Sequence, residues 1–228
     1  MRILITNDDG ISAPGLAVLE DIATELAGPD GEVWIVAPAF EQSGVGHKIS
    51  YTHPFMISKM GERRYAAEGS PADCVMAGLH EVLNGHQVDL ILSGVNRGNN
   101  SAENALYSGT LGGAMEGALQ GYRAFALSQY LGPDNFNIEN PFEAAAAHGV
   151  QVIRKVLAAE PKDSQDYKLF YNINFPPCPA DAVAGVKVAA QGIRPYTSFG
   201  LEPHLSPSGR KFLLIRGTDQ RQRSAPGT

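Results

Sequence analysis

The chain has 228 residues, 43% hydrophobic and 18% charged, with a net charge of −6 and a pI near 5.5. That is the composition of a globular protein with room for one sizeable core. It carries no basic block and no Arg/Lys stripe with interleaved aromatics, which disfavours a surface for duplex nucleic acid. No apolar run approaches a membrane span, and the first residues enter a strand pattern rather than a signal peptide. The expected compartment is the cytoplasm, with no membrane partner.

Residues 3–6 (Ile-Leu-Ile-Thr) read as a short buried strand, followed at once by Asn7-Asp8-Asp9-Gly10. The carboxyl ends of strands are where ligands bind in an open α/β sheet. Adjacent carboxylates there raise each other's pKa unless a positive charge sits on them. Two readings stand: a hard divalent cation on the pair, or an Asp N-cap. Leu16, Leu19, Ile22, Ala23 and Leu26 recur at helical spacing. They predict a helix from Pro14 to about Ala27, with Ser12 available as cap and Gly28-Pro29 ending it. Residues 32–37 form a second buried strand. Strand, helix, strand predicts a βαβ unit and a parallel sheet.

The loop from Pro38 to His47 leaves the same rim as Asp8 and Asp9. Its Ser43-Gly44 can bring a hydroxyl and bare backbone to a ligand, or serve as an ordinary turn. His47 reads as structural or exposed. Residues 48–52 and 64–67 look like short strands, candidates for pairing with each other. Ser70-Pro71-Ala72-Asp73 starts a helix with Ser70 as cap. Val75, Leu79, Val82 and Leu83 form its apolar side, and Asn84-Gly85 closes it. Cys74 falls in that apolar pattern as a core residue. Cys74 and Cys178 form no C-x-x-C pair, so neither zinc nor a redox motif is signalled.

Residues 88–93 (Val-Asp-Leu-Ile-Leu-Ser) are the most strand-like stretch, expected to be central and covered on both faces. They empty into a Gly/Asn loop, 94–100, that holds Asn96 and Arg97. The Asn96 carbonyl suits a hard metal, or a turn. Ser108 or Thr110 caps a helix running to about Gln120. Gly112, Gly113, Ala114, Gly117 and Ala118 let that helix pack closely. Its first N–H groups and the Ser108 and Thr110 hydroxyls make an anion site, without the lysine of a Walker loop. Residues 123–128 predict a strand, 131–140 a polar loop, 142–157 an Ala-rich helix, 169–175 a strand and 183–190 another. The Gly-, Pro- and Ser-rich stretch from 191, with a strand at 211–216, reads as an extended loop or hairpin arm. Residues 217–228 read as a mobile tail. No repeat or linker divides the chain, so one α/β domain over 1–228 is expected, its site-bearing core in about 1–130.

Three strand ends thus deliver Asp8, Asp9, Ser43 and Asn96 to one rim. An all-oxygen set with two anions suits Mg²⁺ or Mn²⁺, not zinc. A cation beside an anion cradle points to phosphate chemistry. No Cys, His or Ser forms a nucleophile–base pair in the sequence pattern. Attack by metal-activated water is therefore favoured, with Asp8 or Asp9 as proton acceptor. A covalent aspartyl-phosphate on Asp8 stays open.

Taken together, these motifs resemble the SurE survival-protein family, metal-dependent 5′-nucleotidases. The matching residues are Asn7-Asp8-Asp9-Gly10, Pro38 through Ser43-Gly44, Gly69 to Cys74, Ser93-Gly94-Val95-Asn96-Arg97-Gly98, Tyr107-Ser108-Gly109-Thr110 and Ala114-Met115-Glu116-Gly117. They stand in the family's order and cover roughly the first 130 residues. The resemblance implies a Rossmann-like three-layer sandwich with a mostly parallel sheet. It implies one Mg²⁺ or Mn²⁺ per subunit on Asp8, Asp9, Ser43 and Asn96, catalysis by Asp8, Asp9 and Asn96, and phosphate contacts from Asn96, Ser108, Gly109 and Thr110. The implied activity is hydrolysis of nucleoside 5′-monophosphates, and also of 3′-monophosphates and short polyphosphate. A homodimer built by exchange of C-terminal segments, often paired into a tetramer, is implied too. The family continues past a Gly-Thr-Asp like Gly217-Thr218-Asp219 into a further helix and strand, whereas this chain stops at Thr228. That departure bears on the exchanged arm more than on the site.

Two other readings compete. A receiver-like signalling domain also binds Mg²⁺ on an acid pair, but Ser93 stands where its phospho-accepting Asp belongs and Asp89 comes too early. A non-catalytic nucleotide- or sugar-binding protein would not set two carboxylates beside a phosphate without a cation to reverse the sign.

Overall fold

Strand β1 (Arg2–Thr6) lies in the middle of the sheet, and its Ile3, Leu4 and Ile5 are fully buried. The computed structural model describes residues 1–132, 134–159, 168–194, 199–217 and 224–228. By its internal contacts the chain divides into two units, residues 1–100 with 104–186, and residues 101–103 with 187–228.

The larger unit carries a seven-stranded sheet. In chain order its strands are β1, β2 (Glu32–Pro38), β3 (Ile57–Gly61), β4 (Arg64–Ala67), β5 (Leu90–Arg97), β6 (Ala124–Gln129) and β7 (Phe170–Phe175), in the spatial order β3-β4-β2-β1-β5-β6-β7. All neighbours pair in parallel except β3 with β4. Alternation along β1 sends Ile3 and Ile5 to one face and Leu4 to the other. On the first face they meet Leu16, Leu19 and Ile22 of α1 (Pro14–Ala27) and Ile153 of α5 (Glu143–Ala159). On the second, Leu4 packs with Cys74 and Val75 of α2 (Pro71–Ala77) and with Leu111 and Ala114 of α4 (Gly109–Leu119). Between α2 and α4 in sequence lie a wider helical turn, Gly78–Val82, and the one-turn helix α3 (Asn104–Tyr107). This is the expected α/β arrangement of helices on both faces of a mostly parallel sheet. Each fully buried Leu or Ile contributes about 1.5–3 kcal/mol.

The topology also fixes where a ligand fits. From β1 the chain crosses through α1 to β2, and from β5 through α4 to β6 on the other side. The strand order reverses between β1 and β5, and their carboxyl ends leave a crevice.

Several expectations need correction. Ser12 does not cap α1: the N-cap is Ala13, with no side-chain bond, and Pro14 removes one of the donors that would need one. The strand expected at 48–52 does not form, and the partner of β4 is Ile57–Gly61. Residues 48–50 are committed instead to the start of α2. Ser70 Oγ donates to Lys48 O at 2.5 Å, and the Ser50 N–H and O–H both reach the Asp73 carboxylate, at 2.8 and 2.7 Å. β5 does not end at Ser93. A bulge between Ser93 and Asn96 re-registers it, so that Asn96 pairs with Ser128 and Arg97 with Gln129. Gly94 makes this possible, since a Cβ there would lie 2.2 Å from Leu127 O at φ +137°. The strand expected at 183–190 does not form, and Val188 is 96% exposed. Its alternating valines have no partner strand among the described residues.

The smaller unit contains an antiparallel hairpin, β8 (Phe199–Leu205) with β9 (Lys211–Gly217), turned at Ser206–Arg210. This is the hairpin alternative for the arm. Leu201, Leu205, Phe212 and Ile215 all remain exposed on it. Within the same unit Arg194 is buried against Glu103, Nε to Oε2 at 3.1 Å. Half of the expected mobile tail, residues 218–223, lies outside the described residues.

Candidate active site

Asp8 and Asp9 stand just past the end of β1, after Asn7, at the crevice. The turn that carries them is shaped by Asn7, whose Nδ2 donates to Gly10 O at 2.8 Å while its Oδ1 accepts from Gly10 N at 3.3 Å. Such an Asx bond mimics a backbone turn, and Gly10 sits at φ +104°.

Three segments close on this turn. The β2 loop is tied to it by Gln42 N–H donating to Asp8 O at 2.7 Å. The end of β5 is tied to it by Arg97 N–H donating to Asp9 Oδ2 at 3.1 Å. The first turn of α4 is tied to it by Thr110, whose hydroxyl donates to Asp8 Oδ1 at 2.7 Å and whose N–H donates to Asp8 Oδ2 at 3.1 Å. Gly109 permits that approach, because a Cβ there would lie 2.9 Å from Asp8 Cβ and 3.2 Å from Gln42 O. Asp8, Asp9, Thr110 and the chain neighbours of Ser43 and Asn96 are therefore joined by direct bonds.

Not every expected donor is used as expected. Thr110 gives both its hydrogens to Asp8, so the anion at this helix N-terminus is a carboxylate of the protein itself. Ser108 is the N-cap of α4 and accepts from Leu111 N at 3.1 Å. Its hydroxyl hydrogen has no acceptor among the described residues and remains for a ligand.

The electrostatics follow from burial. Asp8 is 4% exposed. Desolvation pushes its carboxyl up to about 6, the Thr110 hydroxyl bond opposes this, and the charge of Asp9 adds to it. Asp9 is also raised, by burial first. The Arg97 N–H and the Arg97 charge pull it back, and Glu41 pushes it further.

The donor chemistry fits a hard cation. Ser43 donates its hydroxyl hydrogen to Glu41 Oε1 at 2.8 Å, which leaves the Oγ lone pairs. Asn96 donates through Nδ2 to Gly98 O at 2.9 Å, which leaves Oδ1. Asp9 Oδ1 has no hydrogen-bond partner among the described residues. Each side chain thus keeps oxygen lone pairs and no competing hydrogen, as Mg²⁺ or Mn²⁺ requires. Among the described residues no three His, Cys, Asp or Glu converge as a metal group.

Sequence reasoning passed over one further contact set. Loop residue Gly46 lies so close to α4 that a Cβ on Gly112 would stand 2.3 Å from Gly46 O. Gly46 N–H donates to Tyr107 O at 2.9 Å, and His47 Nε2 meets the buried Glu116 Oε2 at 2.7 Å. Glu116 Oε1 accepts from Gln120 Nε2 at 2.7 Å. The Ser43 loop is clamped to α4 in this way. The only signal was the run of small residues in that helix, beside a His and an acid 69 positions apart.

A family profile described as Survival protein SurE matches residues 3–198. The chain belongs to the SurE family. A SurE relative from Ruegeria pomeroyi, named 5′-nucleotidase SurE, is 70% identical over all 228 residues, which cover 88% of that protein. A second of the same name, from Roseobacter denitrificans, is 67% identical, again over the whole chain and 87% of the relative. The crystal structure of SurE protein from Aquifex aeolicus matches with a TM-score of 0.77 and 33% identity, over 100% of this chain and 87% of that one. The SurE match spans Asp8, Asp9, Ser43, Asn96 and Ser108 to Thr110.

Proposed function

We propose that this chain is a divalent-cation-dependent phosphomonoesterase that hydrolyses nucleoside 5′-monophosphates to nucleoside and phosphate. The observation that carries the reading is the carboxylate pair at the switch-point crevice, Asp8 buried and Asp9 half-buried, beside a Ser43 Oγ and an Asn96 Oδ1 that keep free lone pairs. Relatives named 5′-nucleotidase support the reaction class.

Asp8, Asp9, Ser43 and Asn96 would hold one Mg²⁺ or Mn²⁺. When bound, that cation polarises a phosphoryl oxygen and makes water acidic enough to attack at neutral pH. The remaining roles fall to the chain. Thr110 donates to both Asp8 oxygens, which orients that carboxylate. Asp9, with Oδ1 unbonded among the described residues, is the proton acceptor. Ser108 donates its hydroxyl hydrogen to a phosphoryl oxygen, and Asn96 and the Gly109 backbone border the same position. Arg97 places a positive charge beside Asp9. Activity on 3′-monophosphates and short polyphosphate belongs to the same chemistry.

The reading includes association into a homodimer or tetramer in the cytoplasm, supported by the exposed apolar side chains of the β8–β9 hairpin. No helix among the described residues is long and apolar enough to cross a membrane.

The test is phosphate release from AMP and GMP with Mn²⁺ or Mg²⁺, abolished by EDTA and restored by metal. Asp8→Asn should abolish turnover and the Mn²⁺-induced rise in Tm while the folded baseline persists. Full turnover in Asp8→Asn, or turnover unaffected by EDTA, would overturn the assignment. A non-catalytic binder would bind AMP and release no phosphate.

A further inference from the structure

A cavity of about 320 Å³ opens on the α1 side of the acid pair. Its walls include Asp9, Ser12, Pro14, Phe40, Arg97 and Phe142. The other side of the pair is closed by α4, where a Cβ on Gly109 would already lie 2.9 Å from Asp8 Cβ. A phosphate ester bound at the acids can place its leaving group in this cavity. The volume is at the small end of ligand sites, the scale of one nucleoside.

The lining suits such a ligand. Phe40 is an aromatic ring left 71% exposed. Its backbone is held on both sides, by Ala39 N–H to Ala67 O at 2.7 Å and Gln42 N–H to Asp8 O at 2.7 Å. A ring exposed on a tethered loop beside the acid pair is a stacking surface, and every base offers a π-face to it. Arg97 lines the same cavity, its charge acting on Asp9. A planar cation of this kind stacks on bases as well. The rest of the wall includes the apolar Ile11, Ala13, Ala39 and Phe142, with the Glu41 carboxylate at one side.

We propose that this cavity seats the nucleoside of the substrate, with Phe40 as the stacking surface for the base and Arg97 as a second planar group. This rests on the nucleotidase reading and deepens it. Recognition by stacking on apolar walls gives broad tolerance of the base and discrimination against phosphate esters that lack one.

The experiment compares kcat/KM for AMP and for ribose 5-phosphate, which has the same sugar and phosphate and no base. It uses the wild type, Phe40→Ala, and Ser12→Trp, which fills the cavity from an exposed position. In both variants the AMP-to-ribose 5-phosphate ratio should fall about tenfold or more, mainly through KM for AMP. An unchanged ratio in both overturns the proposal. Adenosine binding by calorimetry provides a readout independent of turnover. The wild type should bind and Phe40→Ala should bind about tenfold more weakly. No binding to the wild type, or equal binding to the variant, also overturns it. If adenosine binds as expected but AMP releases no phosphate, the nucleoside site stands and the nucleotidase reading fails.

Discussion

Gly112→Ala tests whether the clamp between the Ser43 loop and α4 matters for the cation site. The added Cβ would stand 2.3 Å from Gly46 O, 2.9 Å from Gly46 C and 3.1 Å from His47 Cα. All three are backbone atoms, so no side chain can rotate away. Replacing Gly by Ala inside a helix gains about 1 kcal/mol of propensity. Against this, the loop must retreat by roughly 1 Å, and overpacking of this kind costs about 1–3 kcal/mol. The retreat also strains the Gly46–Tyr107 and His47–Glu116 bonds, each worth about 1 kcal/mol. The net loss is about 1–3 kcal/mol, a fall in Tm of roughly 2–12 °C. Ser43 lies three residues from Gly46 and moves with it, so Mn²⁺ affinity by calorimetry should fall about tenfold, one ligand's share on the order of 1.4 kcal/mol. Gly117→Ala is the control. Its Cβ would meet Ile91 Cδ1 at 3.0 Å and Ala124 Cβ at 3.1 Å, away from the loop. It should lower Tm and leave Mn²⁺ affinity unchanged. A Gly112→Ala protein as stable as wild type, or one destabilised with unchanged Mn²⁺ affinity, would refute the reasoning.

Three further outcomes are expected. His47→Ala leaves the buried Glu116 Oε2 without its 2.7 Å partner and should cost about 1–3 kcal/mol in urea unfolding, with partial rescue by His47→Gln. Ser70→Ala removes both halves of a bond set, from Asp73 N at 3.1 Å and to Lys48 O at 2.5 Å, and should cost about 1–2 kcal/mol, read as a Tm several degrees lower. Burial pushes the Cys74 thiol far up, whereas Cys178 is only half-buried. Maleimide should therefore modify Cys178 in the native protein and Cys74 only after unfolding, and fast labelling of both would contradict the packing around α2.

Helix α1 was readable at both ends because Pro14 and Gly28 are local signals, and Gly28 indeed sits at φ +79°. The acid pair was readable because two adjacent carboxylates after a buried strand have few structural uses. What escaped is what depends on distant partners. Ser12 had the right chemistry for a cap, but the chain turned one residue later. Residues 48–52 had strand character, but their backbone and hydroxyl groups are needed at Ser70 and Asp73. Asn96 looked like a loop residue because no local pattern announces a bulge. Thr110 reads from sequence as a donor to an anion, and only the fold shows that it also holds Asp8.

The Asp8–Thr110 bond joins residues 102 positions apart. Closing a loop of that size carries an entropic cost on the order of 4 kcal/mol, so the bond cannot form ahead of the sheet that brings its ends together. A nascent chain holding β1, α1 and β2 has both carboxylates and nothing to orient them. Phosphatase competence should therefore arise late during synthesis, when α4 emerges and docks, and until then Asp8 has no helix to aim it.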